Sequence, residues 1–330
     1  MTKDDQFHSL LGPTIERYLR LKRALGREYR SVHDVYRDLD RWLLETDPKQ
    51  PELTAESFVD WTHSLLHLSS GVRRNRMRVV RNLCLYRRRS DPDCFVPDKA
   101  QFPPNHQPIQ PHIFTATQII RLLDATATLA PTSGSPLRSQ TFRLATVLLY
   151  TTGLRRGELV RLTLGDYDPR ERTLLVRSAK FHKSRLLPLS DDAVHELAAY
   201  LTARQSAGVP SRPELPLLWN RNRGGNPYTG TGLGQGFRYL FAQADIRTTN
   251  GSLPRVHDLR HSFAVNALLR WYRAGVDVQA RLPCLATYMG HVSIASTHYY
   301  LRFVEELAAA ASERFARLCA RLVTVTGGDE

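Results

Sequence analysis

Apolar positions in the first ninety residues recur every three or four places, the spacing that lines one face of an α-helix. Ile15, Leu19, Leu21 and Leu25 approximate one such face, and Val32, Val35, Tyr36, Leu39, Trp42 and Leu43 repeat it. Leu53-Thr54-Ala55-Glu56 opens a third predicted helix running through Phe58, Trp61 and Leu65. A fourth begins near Ser69 or Gly71 and carries Val72, Met77, Val80, Leu83 and Tyr86. No strand alternation stands out, so Phe7 to Arg89 is expected to form a small helical bundle.

From Pro97 the pattern breaks: PDKAQFPPNHQPIQPH holds five prolines and few aliphatic residues. Proline lacks an N–H donor and disfavours helix in the residue before it, so an extended linker is expected. The predicted organisation is a helical domain over 1–100, a proline-rich linker over 101–112 and a second domain over 113–330. That second domain opens on Thr115-Ala-Thr-Gln118, a capping-box pattern ahead of Ile119, Ile120, Leu122 and Leu123. Leu137 to Thr152 reads as a helix, with Gly153 suited to the left-handed turn that ends it. Thr173 to Arg177 and Arg185 to Leu189 read as short strands joined around Lys180 to Lys183, an antiparallel hairpin. Ser190-Asp-Asp caps a further helix through Leu201. Asn220 to Gly236 is rich in Gly, Asn and Pro and is expected to be a loop. Its phrase GTGLGQG (Gly230 to Gly236) is neither GxGxxG nor a Walker motif and is read as a flexible surface loop. Beyond about Arg255 the chain reads as helices, and no internal repeat is visible. The expected fold class is mainly α with a small antiparallel β-sheet: a helical bundle followed by a mixed α/β domain.

Charge sharpens this picture. Lys and Arg number 46 against 32 Asp and Glu, a net charge of +14 with histidines neutral, which favours a polyanionic partner such as DNA. Arg73 to Arg89 holds eight arginines and no acid, and Arg73, Arg74, Arg76, Arg78 and Arg81 are the candidate DNA-contacting residues on that helix. No stretch is apolar enough to cross a bilayer, and MTKDDQFHSLLGP lacks the features of a signal peptide, so a cytoplasmic protein is expected. Four scattered cysteines (Cys84, Cys94, Cys284, Cys319) have no CxxC spacing, which argues for reduced thiols and no metal site.

Four phrases carry candidate chemistry: TGLRRGEL, AKFHKSRLLPL, HDLRHSF and GHVSIASTHYY. Arg155 follows Gly153 at a helix end, with Glu158 one turn on, and a carboxylate there can orient a guanidinium fork toward phosphate oxygens. Lys180, with Lys183 its competitor, lies in the hairpin turn. His257 and Arg260 share one helix face, which aims a proton donor and a cation at one anion. His257 and His261 also have the i, i+4 spacing of helical zinc ligands, but Asp258 stands where a metalloprotease has its glutamate and Arg260 would put a cation beside the metal. Tyr300 and Tyr299 follow the glycine–histidine turn at His291. A tyrosine with a pKa of about 10 is ordinarily protonated, and clustered cations would stabilise its anion as a nucleophile.

In order and spacing these phrases closely resemble the tyrosine recombinase (phage integrase) family, from about Thr115 to Arg317. The helical N-terminal segment resembles that family's core-binding domain, and WYRAGVDVQARLPCLATYMGH is similar to recombinases of transposons. No separate arm-binding domain is expected ahead of the bundle. The resemblance implies catalytic roles for Arg155, Lys180, His257, Arg260, His291 and the nucleophile Tyr300, with Glu158 supporting Arg155. It implies strand cleavage and rejoining through a 3′-phosphotyrosyl link, with no cofactor and no ATP. The implied assembly is four protomers on two double-stranded DNA duplexes, with sister recombinases open as partners. Val304 to Leu322, with Leu307, Ala311, Phe315 and Leu318 in one stripe, is a candidate to pack on a neighbour or to close its own domain. A type IB topoisomerase-like enzyme and a catalytically silent DNA-binding relative are the alternatives.

Overall fold

The computed structural model describes residues 6–27, 29–49, 51–104, 110–177, 184–220 and 227–290. Lys180, Lys183, His291, Tyr299, Tyr300 and the 304–322 helix lie outside the described residues. The described residues up to Pro104 form one compact unit and those from Gln110 onward a second.

The first unit holds α1 (Gly12–Ala24), α2 (Arg30–Thr46), α3 (Ala55–Ser64) and α4 (Ser70–Arg87). Its core gathers the apolar faces: Ile15, Leu19, Tyr36, Leu39, Phe58, Trp61, Val80 and Leu83 are all buried. Tyr36 is fully enclosed and donates its hydroxyl to the Val79 carbonyl at 3.1 Å, so α2 and α4 are bonded as well as packed. The buried Asp40 of α2 accepts from the backbone N–H groups of His8 and Ser9, each at 2.9 Å, and anchors the segment before α1. Thr54 and Ser57 form the capping box that starts α3.

The start of the proline-rich stretch packs on the first unit. Phe102 is buried in the first unit's core, and the Pro97 carbonyl accepts from Arg81 Nε at 2.9 Å. Arg74 likewise donates to the Pro103 carbonyl. Proline removes a donor and leaves its carbonyl, and these arginines use the carbonyls.

The second unit is built around α6 (Arg138–Thr152), whose Phe142, Leu144, Ala145, Leu148 and Leu149 are buried. It packs against α5 (Ala116–Ala127), α8 (Asp191–Ser206) and α10 (Val256–Arg273). The Thr115–Gln118 capping box starts α5, and Ser190 caps α8. One short helix, α7 (Arg156–Leu159), follows α6. The sheet is antiparallel in the order β1 (Tyr167–Asp168), β2 (Thr173–Val176), β3 (Arg185–Pro188), with Leu174 opposite Leu187 and Val176 opposite Arg185. Leu174, Val176 and Leu187 are buried, so this register also turns Arg185 toward the core side. Helix α11 (Val278–Met289) packs on α10 and contains Pro283.

One expectation is corrected. Gly230 to Gly236 is not a flexible loop: it is the first half of helix α9 (Gly230–Gln243), capped by Thr229. Its glycines admit close neighbours. A Cβ at Gly236 would stand 2.0 Å from Phe142 Cζ, and one at Gly234 would stand 2.8 Å from a guanidinium nitrogen of Arg156. Tertiary packing outweighs the roughly 1 kcal/mol per residue that glycine costs a helix.

Candidate active site

The site begins where α6 ends. Gly153 takes φ +62, and a Cβ there would lie 2.5 Å from Phe263, so both conformation and space call for glycine. The chain then turns into α7, with Arg155 as its N-cap. Glu158, three residues on, accepts from the Arg155 backbone N–H at 2.9 Å and from Arg155 Nη1 at 2.7 Å. Arg185, on β3, grips the same carboxylate with Nη1 at 3.2 Å and Nη2 at 2.8 Å.

The second arginine comes from α10. Arg260 is 1% exposed and donates to the Gly153 carbonyl at 2.5 Å and to the Met289 carbonyl at 2.7 Å. Arg155 Nη2 donates to the next carbonyl, Gly290, at 2.7 Å, and Arg185 Nε to the preceding one, Tyr288, at 2.8 Å. Three consecutive carbonyls at the C-terminus of α11 thus receive three arginines from three other elements. The last carbonyls of a helix have no intrahelical partner and carry the negative end of its dipole, which suits them to cations. Gly290 ends the helix with φ +66, and a Cβ there would lie 2.7 Å from Arg185 Nη1.

The α10 phrase repeats the α7 device. Arg255 is the N-cap, and the buried Asp258 accepts from its backbone N–H at 2.8 Å and from its Nη2 at 2.7 Å. Three guanidinium groups (Arg155, Arg185, Arg255) therefore pair with two carboxylates (Glu158, Asp258), and the fourth, Arg260, binds backbone carbonyls. Burial alone would raise the Glu158 pKa, but hydrogen bonds and charge from Arg185 and Arg155 outweigh it and bring it to about 2. The His257 pKa lies below its ordinary value, first through lost hydration and then through repulsion from Arg260, Arg255 and Arg155. His261 is pushed down to about 4, again by burial first. His257 and His261 stand edge to face with ring centroids 4.6 Å apart. Among the described residues no group of three or more potential metal ligands occurs.

Of the residues singled out from sequence, the structure brings Arg155, Glu158, His257 and Arg260 into one electrostatic neighbourhood. Arg185 and Arg255 join them, neither of which is among the site residues expected from the motifs. The visible signal for Arg255 was a repeated spacing, Arg155 to Glu158 and Arg255 to Asp258. For Arg185 it was a charged residue at a core-facing strand position.

Five arginines of α4 have partners inside their own unit. Arg76 pairs with Asp38 at 3.0 Å, Arg87 with Glu52 and Asp91 at 2.9 Å each, and Arg74 and Arg81 bind carbonyls. Arg73 is half-buried, while Arg78 is exposed and bonded to Asn75 at 2.8 Å. Acids from α2, the stretch before α3 and the residues after α4 therefore answer Arg76 and Arg87 of the acid-free run, none of them visible within the run itself.

Comparison with known proteins gives a consistent result. Residues 112–306 match the model of the phage integrase family. The chain is 34% identical over 310 residues to the integrase/recombinase-type protein y4rE of Sinorhizobium fredii, covering 93% of this chain and 96% of that one. It is also 34% identical over 209 residues to tyrosine recombinase XerD of Mycobacterium tuberculosis, covering 61% and 60% of the two chains. The fold is similar to that of the Tn1549 transposon integrase, solved with a circular intermediate DNA, at a TM-score of 0.61 and 20% identity over 92% of this chain and 99% of that one.

Proposed function

The chain belongs to the phage integrase family and is a site-specific DNA recombinase; from that premise we propose that Tyr300 is its nucleophile and that Arg155 and Arg260 hold the scissile phosphate. The observation that supports this assignment is the convergence of Arg155 and Arg260 on the adjacent carbonyls of Gly290 and Met289, with His257 within their field. In one step the Tyr300 oxygen bonds to phosphorus and the bond to the 5′ oxygen breaks. His257, neutral at neutral pH, takes the phenolic proton, and Lys180 supplies a proton to the departing 5′ oxygen. Arg155, Arg260 and His291 stabilise the charge of the pentacoordinate transition state. A 5′ hydroxyl from a partner strand reverses the sequence, and the phosphotyrosyl ester conserves the bond energy meanwhile.

The substrate is double-stranded DNA, in keeping with the net charge of +14. Exchange between two duplexes calls for four protomers, cutting in pairs, and the stripe Leu307, Ala311, Phe315, Leu318 is the proposed contact between them. Likeness in fold to a transposon integrase supports a role in moving mobile DNA. A nicked duplex carrying the target site, which traps the covalent intermediate, tests the assignment. Wild type and Tyr299→Phe should form a protein–DNA adduct and Tyr300→Phe none. An adduct from Tyr300→Phe but not from Tyr299→Phe would move the nucleophile by one residue.

A further inference from the structure

Arg185 occupies a position where an aliphatic residue would be expected. Its cross-strand partner is Val176, its neighbours on that side of the sheet are Leu174 and Leu187, and its side chain is 13% exposed. A guanidinium placed there gives up most of its hydration, and an apolar side chain of similar volume generally serves stability as well or better. The donors it brings are aimed at one place. Nη1 and Nη2 fork onto the two oxygens of Glu158, and Nε binds the Tyr288 carbonyl.

The same two oxygens of Glu158 hold Arg155, Oε1 through its guanidinium and Oε2 through its backbone N–H. Without Arg185, Glu158 would be bonded only to Arg155, and the single bond from Arg155 Nη2 to the Gly290 carbonyl would leave that pair free to swing against α11. A second arginine on both oxygens removes that freedom. The α11 end is shaped around this clamp, because any side chain at Gly290 would strike Arg185. Tyr288 closes the link from the other side, its hydroxyl donating to the Pro188 carbonyl of β3 at 3.2 Å.

We infer that Arg185 is a positioning residue for strand cleavage: by clamping Glu158 and the last turn of α11 to β3, it sets the direction in which Arg155 presents its guanidinium. The inference rests on the assignment of Arg155 to the scissile phosphate. A lysine cannot reproduce it, since a single ammonium group has no planar fork to match a carboxylate.

The test uses the full chain and a nicked duplex at the site where the wild type forms its adduct. Four variants are compared: Arg185→Lys, Arg185→Met, Glu158→Gln and the double variant Arg185→Met/Glu158→Gln. DNA affinity, rate of adduct formation and thermal unfolding are read on the same preparations. Misplacement of a phosphate-binding group by about an ångström costs roughly 100-fold in rate, so both Arg185 variants should cleave about 100-fold more slowly. DNA affinity should stay within about threefold of wild type, and the double variant should be no slower than the slower single one, as for residues acting in one unit. Arg185→Lys keeps the charge and decides the matter should Arg185→Met lose its cooperative unfolding. Cleavage by Arg185→Lys within about threefold of wild type, slow cleavage matched by an equally weakened DNA affinity, or multiplicative effects in the double variant would each overturn the inference. Absence of an adduct with the wild type, or its persistence in Tyr300→Phe, would instead count against the underlying assignment.

Discussion

At Glu158 burial and hydrogen bonding pull in opposite directions, and hydrogen bonding wins, leaving a pKa of about 2 against an ordinary 4.5. A carboxylate whose folded pKa is depressed contributes stability above its unfolded pKa, and that contribution is lost as pH falls toward the folded value. The window is therefore about 4.5 down to 2, with a size on the order of 3 kcal/mol. Urea unfolding from pH 5 to pH 3 should show wild type losing stability faster than Glu158→Gln; parallel curves would refute this. At His257 burial and the neighbouring arginines act in the same direction. Its lowered pKa keeps it neutral near pH 7, so the acid limb of the cleavage rate should lie below pH 6.5. Arg255→Ala removes one repelling charge and should move that limb upward, which a pH profile of adduct formation reads directly. At this scale, what was legible in the sequence was local. The Arg155–Glu158 and His257–Arg260 pairs lie within one helical turn, so spacing alone exposes them. Arg185 reaches Glu158 across 27 residues and Tyr288 across 103, and no periodicity encodes such pairings.

Among the elements, helix α9 shows where pattern reading stops. Four glycines in seven residues carry every local mark of a loop, yet the segment is helical because Phe142 and Arg156 occupy the space that side chains would fill. Gly236→Leu would force a side chain into the Phe142 ring, an overpacking that costs typically 1–3 kcal/mol, about 2–4 °C in Tm for each kcal/mol in a domain of this size. A variant melting as wild type would mean that the ring and helix do not pack. In the proline-rich stretch Phe102 is one aromatic among prolines, and only the assembled core reveals its place. Helices α2, α3 and α5 follow their apolar periods because each buries one face, whereas Leu21 and Leu25, expected on the apolar face of α1, are exposed, and α6 is buried on most sides.

For the whole molecule, the charge of +14 does not fall evenly on solvent. Arg76 answers Asp38, whereas Arg78, Arg88 and Arg89 are exposed. If the first unit grips DNA through α4, replacing the exposed three with alanine should reduce the slope of log affinity against log salt by about 0.9 for each phosphate no longer neutralised. Arg76→Ala should leave the slope unchanged and lower stability by roughly 1 kcal/mol. The reverse pattern would mean that α4 meets DNA through its paired arginines.

The central claim is that Arg155 and Arg260 serve a single anion. Replacing one non-bridging oxygen of the scissile phosphate by a methyl group removes the charge those side chains would neutralise. Cleavage rates of wild type, Arg155→Ala and Arg260→Ala, each on the natural and the neutral substrate, test this most directly. Both variants should be slowed by about 100-fold or more on the phosphate, as for loss of a single oxyanion donor, and by much less on the methylphosphonate. Equal slowing on the two substrates would contradict the account, since the arginines would then be acting on something other than the phosphate's charge.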